Sequence, residues 1–208
     1  MIVHHFTTPI TTPFARKSTQ IYGDLCRLWE KAKIKESAKK PEITGLCRLI
    51  KGYKIMIKVL FVCHGNICRS PMAEFVMKDM VAKAGAGERF VIDSAATSTE
   101  ELGNPVYPPA RRELAAHGVV CGPHTARQMT RADYDKYDLL IGMDSANIRN
   151  MTRICGGDPA GKIHRLLDYT ARPGDVADPW YTGDFSTTWR DVAEGCRGLL
   201  KAITSQAM

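Results

Sequence analysis

Ile57 to Val62 is a nearly continuous apolar run, rich in β-branched residues, and predicts a buried parallel strand. A polar stretch, Cys63–Ser70, follows it directly. Pro71 then predicts the start of a helix, because its fixed φ suits the first helical position. Met72, Phe75, Val76, Met80 and Val81 mark one face of that helix up to Gly85. Phe90–Ser94 reads as a second strand, and Pro108–His117 as a helix stopped by Gly118. Asp138–Met143 predicts a third strand, followed by a helix from Ser145 to Ile154. Lys162–Leu167 reads as a fourth strand. A closing helix spans Thr187–Ile203, with Trp189, Val192, Cys196, Leu199, Leu200 and Ile203 on one side. Strands alternating with helices in this order predict an α/β fold with a parallel sheet covered on both faces. In such sheets ligands bind beyond the carboxyl ends of the strands, which is where Cys63 falls. There is no internal repeat, and this part of the chain has no low-complexity segment.

Charge separates the front of the chain from this body. The 208 residues carry 29 Lys or Arg and 22 Asp or Glu. Residues 1–55 hold 11 of the basic and 4 of the acidic side chains, which leaves residues 56–208 with 18 of each. The net charge of +7 therefore belongs to the front, and the body gives no sign of a nucleic-acid partner. The division expected is a basic extension over 1–55 and one catalytic domain over 56–208. The extension is expected to be disordered or a misassigned start, because Met56 opens directly into the first strand. Two other readings of it are a transit peptide, from its early lack of acids, and a basic amphipathic helix over Ile21–Lys40.

Seven cysteines stand at scattered positions, and no Cys-x2-Cys pair is matched by a second at zinc-finger spacing. Reduced thiols in the cytoplasm are the expectation for a chain this long and apolar. No apolar run approaches the ~18 residues of a membrane-spanning helix. A monomer with no membrane and no metal is expected.

The chemistry is concentrated in Cys63-His64-Gly65-Asn66-Ile67-Cys68-Arg69-Ser70. A strand ends, the chain curls with Gly65 easing the turn, and a helix begins at once. Backbone N–H groups of such a loop converge on one point, and the helix dipole adds positive potential there. That is a cradle for a phosphate-sized anion, and it favours a thiolate at its base. Ser70 can donate a hydrogen bond to the Cys63 sulfur. Arg69 offers a planar fork that matches two phosphate oxygens, most usefully in the transition state. Cys68, five residues after Cys63, is placed to form a reversible disulfide with it.

These residues, together with Asp93–Ser98, His124–Gln128, Met143-Asp144 and Asp178-Pro179-Trp180-Tyr181, resemble the low-molecular-weight protein tyrosine phosphatases from about Lys58 to Ala202. The resemblance implies a small doubly wound sheet of four parallel strands with helices on both faces. It also implies hydrolysis of a phosphotyrosine-containing protein through a phosphocysteine intermediate, without cofactor. Asp178 occupies the place of the family's general acid, over its neighbours Asp175 and Asp184. Trp180 and Tyr181 would wall the substrate ring, with Trp180 where the family usually has tyrosine. Asn66, Ser70, Ser94 and His124 would form the network that shapes the loop. Glu100 falls at a rim position that tunes substrate choice, where an acid would favour basic flanks.

Three other functions are compatible with such a loop. A thioredoxin-coupled arsenate reductase needs a further pair of closely spaced cysteines, whereas Cys121, Cys155 and Cys196 stand alone. A protein-arginine phosphatase carries threonine where Ile67 stands. A non-catalytic phosphate-binding module would have lost a catalytic residue, and Cys63, Arg69 and Asp178 are all present.

Overall fold

The first apolar run becomes β1 (Ile57–Cys63), an inner strand of a four-stranded sheet, in a computed structural model that describes residues 56–206. The expectations placed on residues 1–55 lie outside the described residues. Around β1 stand β2 (Phe90–Ala96), β3 (Leu139–Gly142) and β4 (Ile163–Arg165), in the order β2-β1-β3-β4 with every pairing parallel. The expected α/β sheet of four parallel strands is the one observed.

Between the strands run α1 (Arg69–Lys83), α2 (Pro108–Ala116), α3 (Arg131–Lys136), α4 (Ser145–Cys155), the single turn α5 (Pro179–Thr182) and α6 (Phe185–Gln206). Val59, Leu60, Phe61 and Val62 are wholly buried, as a strand covered on both faces requires. Leu60, Val62 and Leu140 pack with Tyr134 and Tyr137 at α3 and with Met151 and Cys155 of α4. Helix α1 packs against α6, and α2 rests on both.

Beyond shifts of a residue or two at several ends, and the unpredicted turn α5, the observed elements differ from the predicted ones as follows. Helix α1 begins at Arg69, two residues before Pro71. Proline is harmless at that third position, since the first four N–H groups of any helix lack an intrahelical acceptor. The Ile67 carbonyl accepts instead from the Tyr107 N–H at 2.8 Å. Strand β4 ends at Arg165, and Leu166–Tyr169 coil into a 3-10 turn whose leucines are buried. Helix α6 lies on this turn, and a Cβ at Gly198 would strike the Tyr169 carbonyl oxygen. Helix α3 was not predicted because six residues leave no readable period; Thr130 and Asp133 form its capping box. Helix α6 also extends beyond Thr187–Ile203 at both ends.

The register fixes the location of the site. Cys63 lies opposite Ala96 of β2, and Val62 opposite Gly142 of β3. Three strands thus deliver their following loops to one edge of the sheet.

Candidate active site

The loop between β1 and α1 is pinned from outside through four of its carbonyls. Cys63 O accepts from Thr97 N (2.8 Å), His64 O from Ser98 N (3.0 Å) and Ile67 O from Tyr107 N (2.8 Å). Asn66 O accepts from His124 Nε2 at 2.8 Å. A peptide unit whose carbonyl points outward turns its N–H inward. The concavity is therefore lined by donors, as an anion requires.

Asn66 is the keystone of the turn. It is fully buried and its φ is +59°, the left-handed conformation that asparagine tolerates better than most residues. Sequence reasoning assigned the ease of turning to Gly65, and the structure corrects this: Gly65 has no positive φ. Its missing side chain instead leaves room for the Glu101 stem, 3.0 Å from where a Cβ would sit. The Asn66 side chain is bonded through both amide protons and its oxygen. Nδ2 donates to Ser70 Oγ (3.0 Å) and Ser94 Oγ (2.8 Å), and Oδ1 accepts from Arg127 N (3.1 Å).

Those bonds set the direction of the next ones. Ser70 Oγ accepts from Asn66, so its own proton is free for the Cys63 sulfur, 3.0 Å away. Asn66 N–H also points to that sulfur, at 3.2 Å. Cys63 thus sits in the base of the cradle with two donors aimed at it. Ser94 Oγ donates to Glu74 Oε2 at 2.5 Å, and the His124 ring stands beside the same carboxylate, 3.8 Å away. The predicted quartet Asn66, Ser70, Ser94 and His124 is therefore one connected network.

Arg69 is buried at the first position of α1, and its guanidinium is held by two carboxylates. Nη1 donates to Asp144 Oδ2 at 2.7 Å, and Nη2 lies 2.6 Å from Asp178 Oδ2. Burial opposes its charge, but Cys63, Asp178 and Asp144 outweigh that and raise its pKa further. Asp178 is the N-cap of α5, where Oδ1 accepts from Trp180 N at 3.1 Å. One carboxylate oxygen is thus fixed by the backbone while the other is aimed into the pocket. Cys68 is buried beside Ile67 and Ala126. Burial, with the charges of Cys63 and Asp178, pushes its thiol up to about 12 against the opposing pull of Arg69.

Above the loop opens a pocket of about 340 Å³ lined by Cys63, Arg69, Asp144, Asp178, Trp180 and Tyr181, among others. Trp180 leans on Tyr107 with ring centroids 5.7 Å apart, and Tyr107 in turn meets Phe185. Both residues of the predicted aromatic wall are exposed, Tyr181 at 85%. His64 and Glu100 face each other across the rim at 3.0 Å, and Glu101 lies beside them. The two rivals for the acid lie elsewhere: Asp175 is bonded to Ser145 and Arg165, and Asp184 to Thr187 at the start of α6.

Sequence reasoning missed Glu74 and Tyr107, and it gave no role to Asp144 and Arg127, which stood only within the stretches that carry the resemblance. Glu74 had no readable signal, because Arg69 through Met77 are all buried and no polar face betrays it. Asp144 had one. It stands two residues past the end of β3, as His64 stands one past the end of β1, at the sheet edge where ligands bind.

Residues 58–208 match the model for low molecular weight phosphotyrosine protein phosphatase. The chain is 39% identical over 153 residues to the low molecular weight protein-tyrosine-phosphatase YfkJ of Bacillus subtilis, covering 73% of this chain and 98% of that one. The crystal structure of YfkJ superposes with a TM-score of 0.73 at 38% identity, over 76% of this chain and all of that one. The low molecular weight protein tyrosine phosphatase SP-PTP from Streptococcus pyogenes gives a TM-score of 0.64 at 40% identity, covering 71% and 93%.

Proposed function

The chain belongs to the low molecular weight phosphotyrosine protein phosphatase family, and on that premise we propose that Cys63 is its nucleophile, Arg69 its phosphate clamp and Asp178 its general acid. The enzyme is a phosphoric monoester hydrolase acting on phosphotyrosine. The observation that carries the residue assignment is the 2.6 Å pair between Arg69 and Asp178, in the pocket whose base is Cys63. The guanidinium, the carboxylate and the thiol line one and the same pocket.

The substrate phosphoryl group settles on the inward N–H groups and takes the Arg69 fork. Asp178 is thereby released from its cation, takes up a proton from solvent and faces the bridging oxygen. The Cys63 sulfur attacks phosphorus in line, the P–O bond to tyrosine breaks, and Asp178 gives its proton to the departing phenolate oxygen. Ser70 and the Asn66 N–H steady the sulfur before attack and receive it after. In the second half, Asp178 takes a proton from water as the water oxygen bonds to phosphorus. The P–S bond breaks, inorganic phosphate leaves, and the thiolate returns. Asp144 holds Arg69 throughout, so the fork keeps its plane while Asp178 works.

Trp180 and Tyr181 wall the phenol ring, and Glu100 with Glu101 makes the rim acidic on the His64 side, which favours phosphotyrosine with basic neighbours. A cytoplasmic enzyme meeting peroxide would oxidise Cys63 to the sulfenic acid. The protonated Cys68 thiol would condense with it, forming the disulfide and releasing water.

The test is hydrolysis of a phosphotyrosine peptide by the full chain beside Cys63→Ser and Asp178→Ala. Turnover abolished by the first and slowed ~10²–10⁴-fold by the second is expected. A folded protein that ignores phosphotyrosine but turns over arginine phosphate or arsenate would give the site to one of the other two chemistries.

A further inference from the structure

Asp175 was a rival for the general acid, and the structure shows it occupied in another way. Its Oδ1 accepts from Ser145 N (3.1 Å), Ser145 Oγ (2.9 Å) and Arg165 Nη1 (3.0 Å). Arg165 itself ends β4 and is steadied by Asp168 through Nη2 at 2.9 Å. The two residues after Asp175 are held as well. Val176 N donates to Met143 O at 2.8 Å, and Ala177 N to Asp191 Oδ2 at 3.2 Å, while Ala177 O accepts from Thr188 Oγ1 at 2.9 Å. Asp178 comes next in the chain.

Two of these anchors, Asp175 on Ser145 and Val176 on Met143, meet at Met143-Asp144-Ser145, while α6 holds Ala177. Met143 and Ser145 grip the segment that leads into Asp178, and Asp144, between them, grips Arg69. The tripeptide is rigid, because β3 ends at Gly142, Met143 N donates to Asn147 Oδ1 and Asp144 caps α4 through Asn147 N. From this arrangement we infer that Asp175, clamped by Ser145 and Arg165, is a positioning residue that aligns the Asp178 carboxyl with the arginine-bound phosphoryl group. The inference rests on Asp178 being the general acid.

Physical reasoning favours positioning over stability as its role. Asp175 and Arg165 are partly exposed, with side chains 48% and 30% accessible, and such pairs add little to folding. Fixing a carboxyl at the end of a loop is a different matter, since a displacement of about 1 Å can cost ~10²-fold in rate. The bonds from Ser145 and Arg165 outweigh the cost of burial and hold the Asp175 carboxyl below its ordinary range, so the clamp is closed at neutral pH.

The experiment compares kcat/KM for a phosphotyrosine peptide and for nitrophenyl phosphate, whose more acidic phenol needs a proton less. The proteins are the full chain, Asp175→Ala, Asp175→Asn and Asp178→Ala, with thermal midpoints measured alongside. If Asp175 positions the acid, Asp175→Ala loses about tenfold on phosphotyrosine and much less on nitrophenyl phosphate, with its midpoint nearly that of the parent. Asp175→Asn keeps the Oδ1 acceptor for Ser145 and recovers most of the phosphotyrosine rate. Equal losses on both substrates, no loss on either, or a loss that follows the thermal midpoint would overturn the inference. Asp178→Ala separates the two claims. If it shows the leaving-group bias and Asp175→Ala does not, only the positioning role falls. If Asp178→Ala itself lacks the bias, the acid assignment falls and takes the clamp with it.

Discussion

Asn66→Ala tests the turn at its most constrained point. The substitution removes two Nδ2 bonds, to Ser70 and Ser94, and the Oδ1 bond from Arg127 N. At a net ~0.5–1.5 kcal/mol each, the three bonds amount to roughly 2–4 kcal/mol. Alanine must also hold the φ of +59°, which costs a residue with a Cβ about 1–2 kcal/mol. The sum, roughly 3–6 kcal/mol, is a large share of a typical stability of ~5–15 kcal/mol. At ~2–4 °C per kcal/mol the thermal midpoint falls on the order of 10 °C. Asn66→Gly separates the two contributions. It loses the same three bonds without the backbone strain and should exceed Asn66→Ala by ~1–2 kcal/mol. Both variants should be poor catalysts, because each frees Ser70 to turn its proton from the Cys63 sulfur towards Ala95 O, 3.4 Å away. Thermal unfolding with and without inorganic phosphate, beside phosphotyrosine hydrolysis, reads all of this. A glycine variant no more stable than the alanine variant would refute the strain argument, and a glycine variant with full activity would refute the network argument.

Other parts of the molecule carry their own tests. Burial, with the charges of Cys63 and Asp178, holds the Cys68 thiol up to about 12. Iodoacetamide at pH 8 should therefore spare Cys68 in the native protein and label it on unfolding, by peptide mass mapping; native labelling of Cys68 at the rate of a free thiol contradicts this. For Asp133, burial opposes the charge, but bonds from Arg127 and Thr130 outweigh it and lower the pKa. The native pKa lies below the unfolded value of ~3.9, so this stabilisation is complete above that pH and is lost as pH falls through the native value. Asp133→Asn should be less stable than the parent at pH 7, with the gap in urea midpoint narrowing towards pH 3; a constant gap refutes the linkage. In a free helix Gly198→Ala would gain ~1 kcal/mol. Here its Cβ strikes the Tyr169 carbonyl, and a loss of ~1–3 kcal/mol or more is expected in chemical denaturation.

Legibility in the sequence followed the range of the interactions. The strand Ile57–Val62, the loop after it and the helix face from Met72 to Val81 could be read because each rests on residues a few positions apart. The same holds for Cys63, Arg69 and Ser70, which lie within eight residues of one another. Asp178 needed a family resemblance, because by composition it does not differ from Asp175 or Asp184. What separates the three is their partners: Arg69 lies 109 positions before Asp178, and Ser145 lies 30 before Asp175. Glu74 was invisible for a similar reason. Its use depends on Ser94, which only the parallel register of β1 with β2 brings near. The boundary errors also have a tertiary cause. Leu166 and Leu167 suit a strand by composition, but α6 takes their side chains and coils them into a turn.

The loop's affinity for an anion is also a long-range property. Its residues name the chemistry, but their backbone direction is imposed by Thr97, Ser98, Tyr107 and His124, which draw the carbonyls outward. A free eight-residue loop would orient its own N–H groups only at the moment of binding, and that ordering would subtract from affinity and rate. Here the donors stand in place beforehand, as electrostatic stabilisation of a transition state demands. The strained φ of Asn66 is held by the same contacts, since releasing it would break the Ser70, Ser94 and Arg127 bonds together. Arg69 follows the same pattern. Asp144, just past the end of a neighbouring strand, fixes its fork, and Asp178 occupies the second arm. On the proposed assignment of Asp178 as the acid, a phosphoryl group taking that arm would make substrate binding and release of the acid a single exchange at one guanidinium, tying the proton donor to a pocket that already holds its substrate.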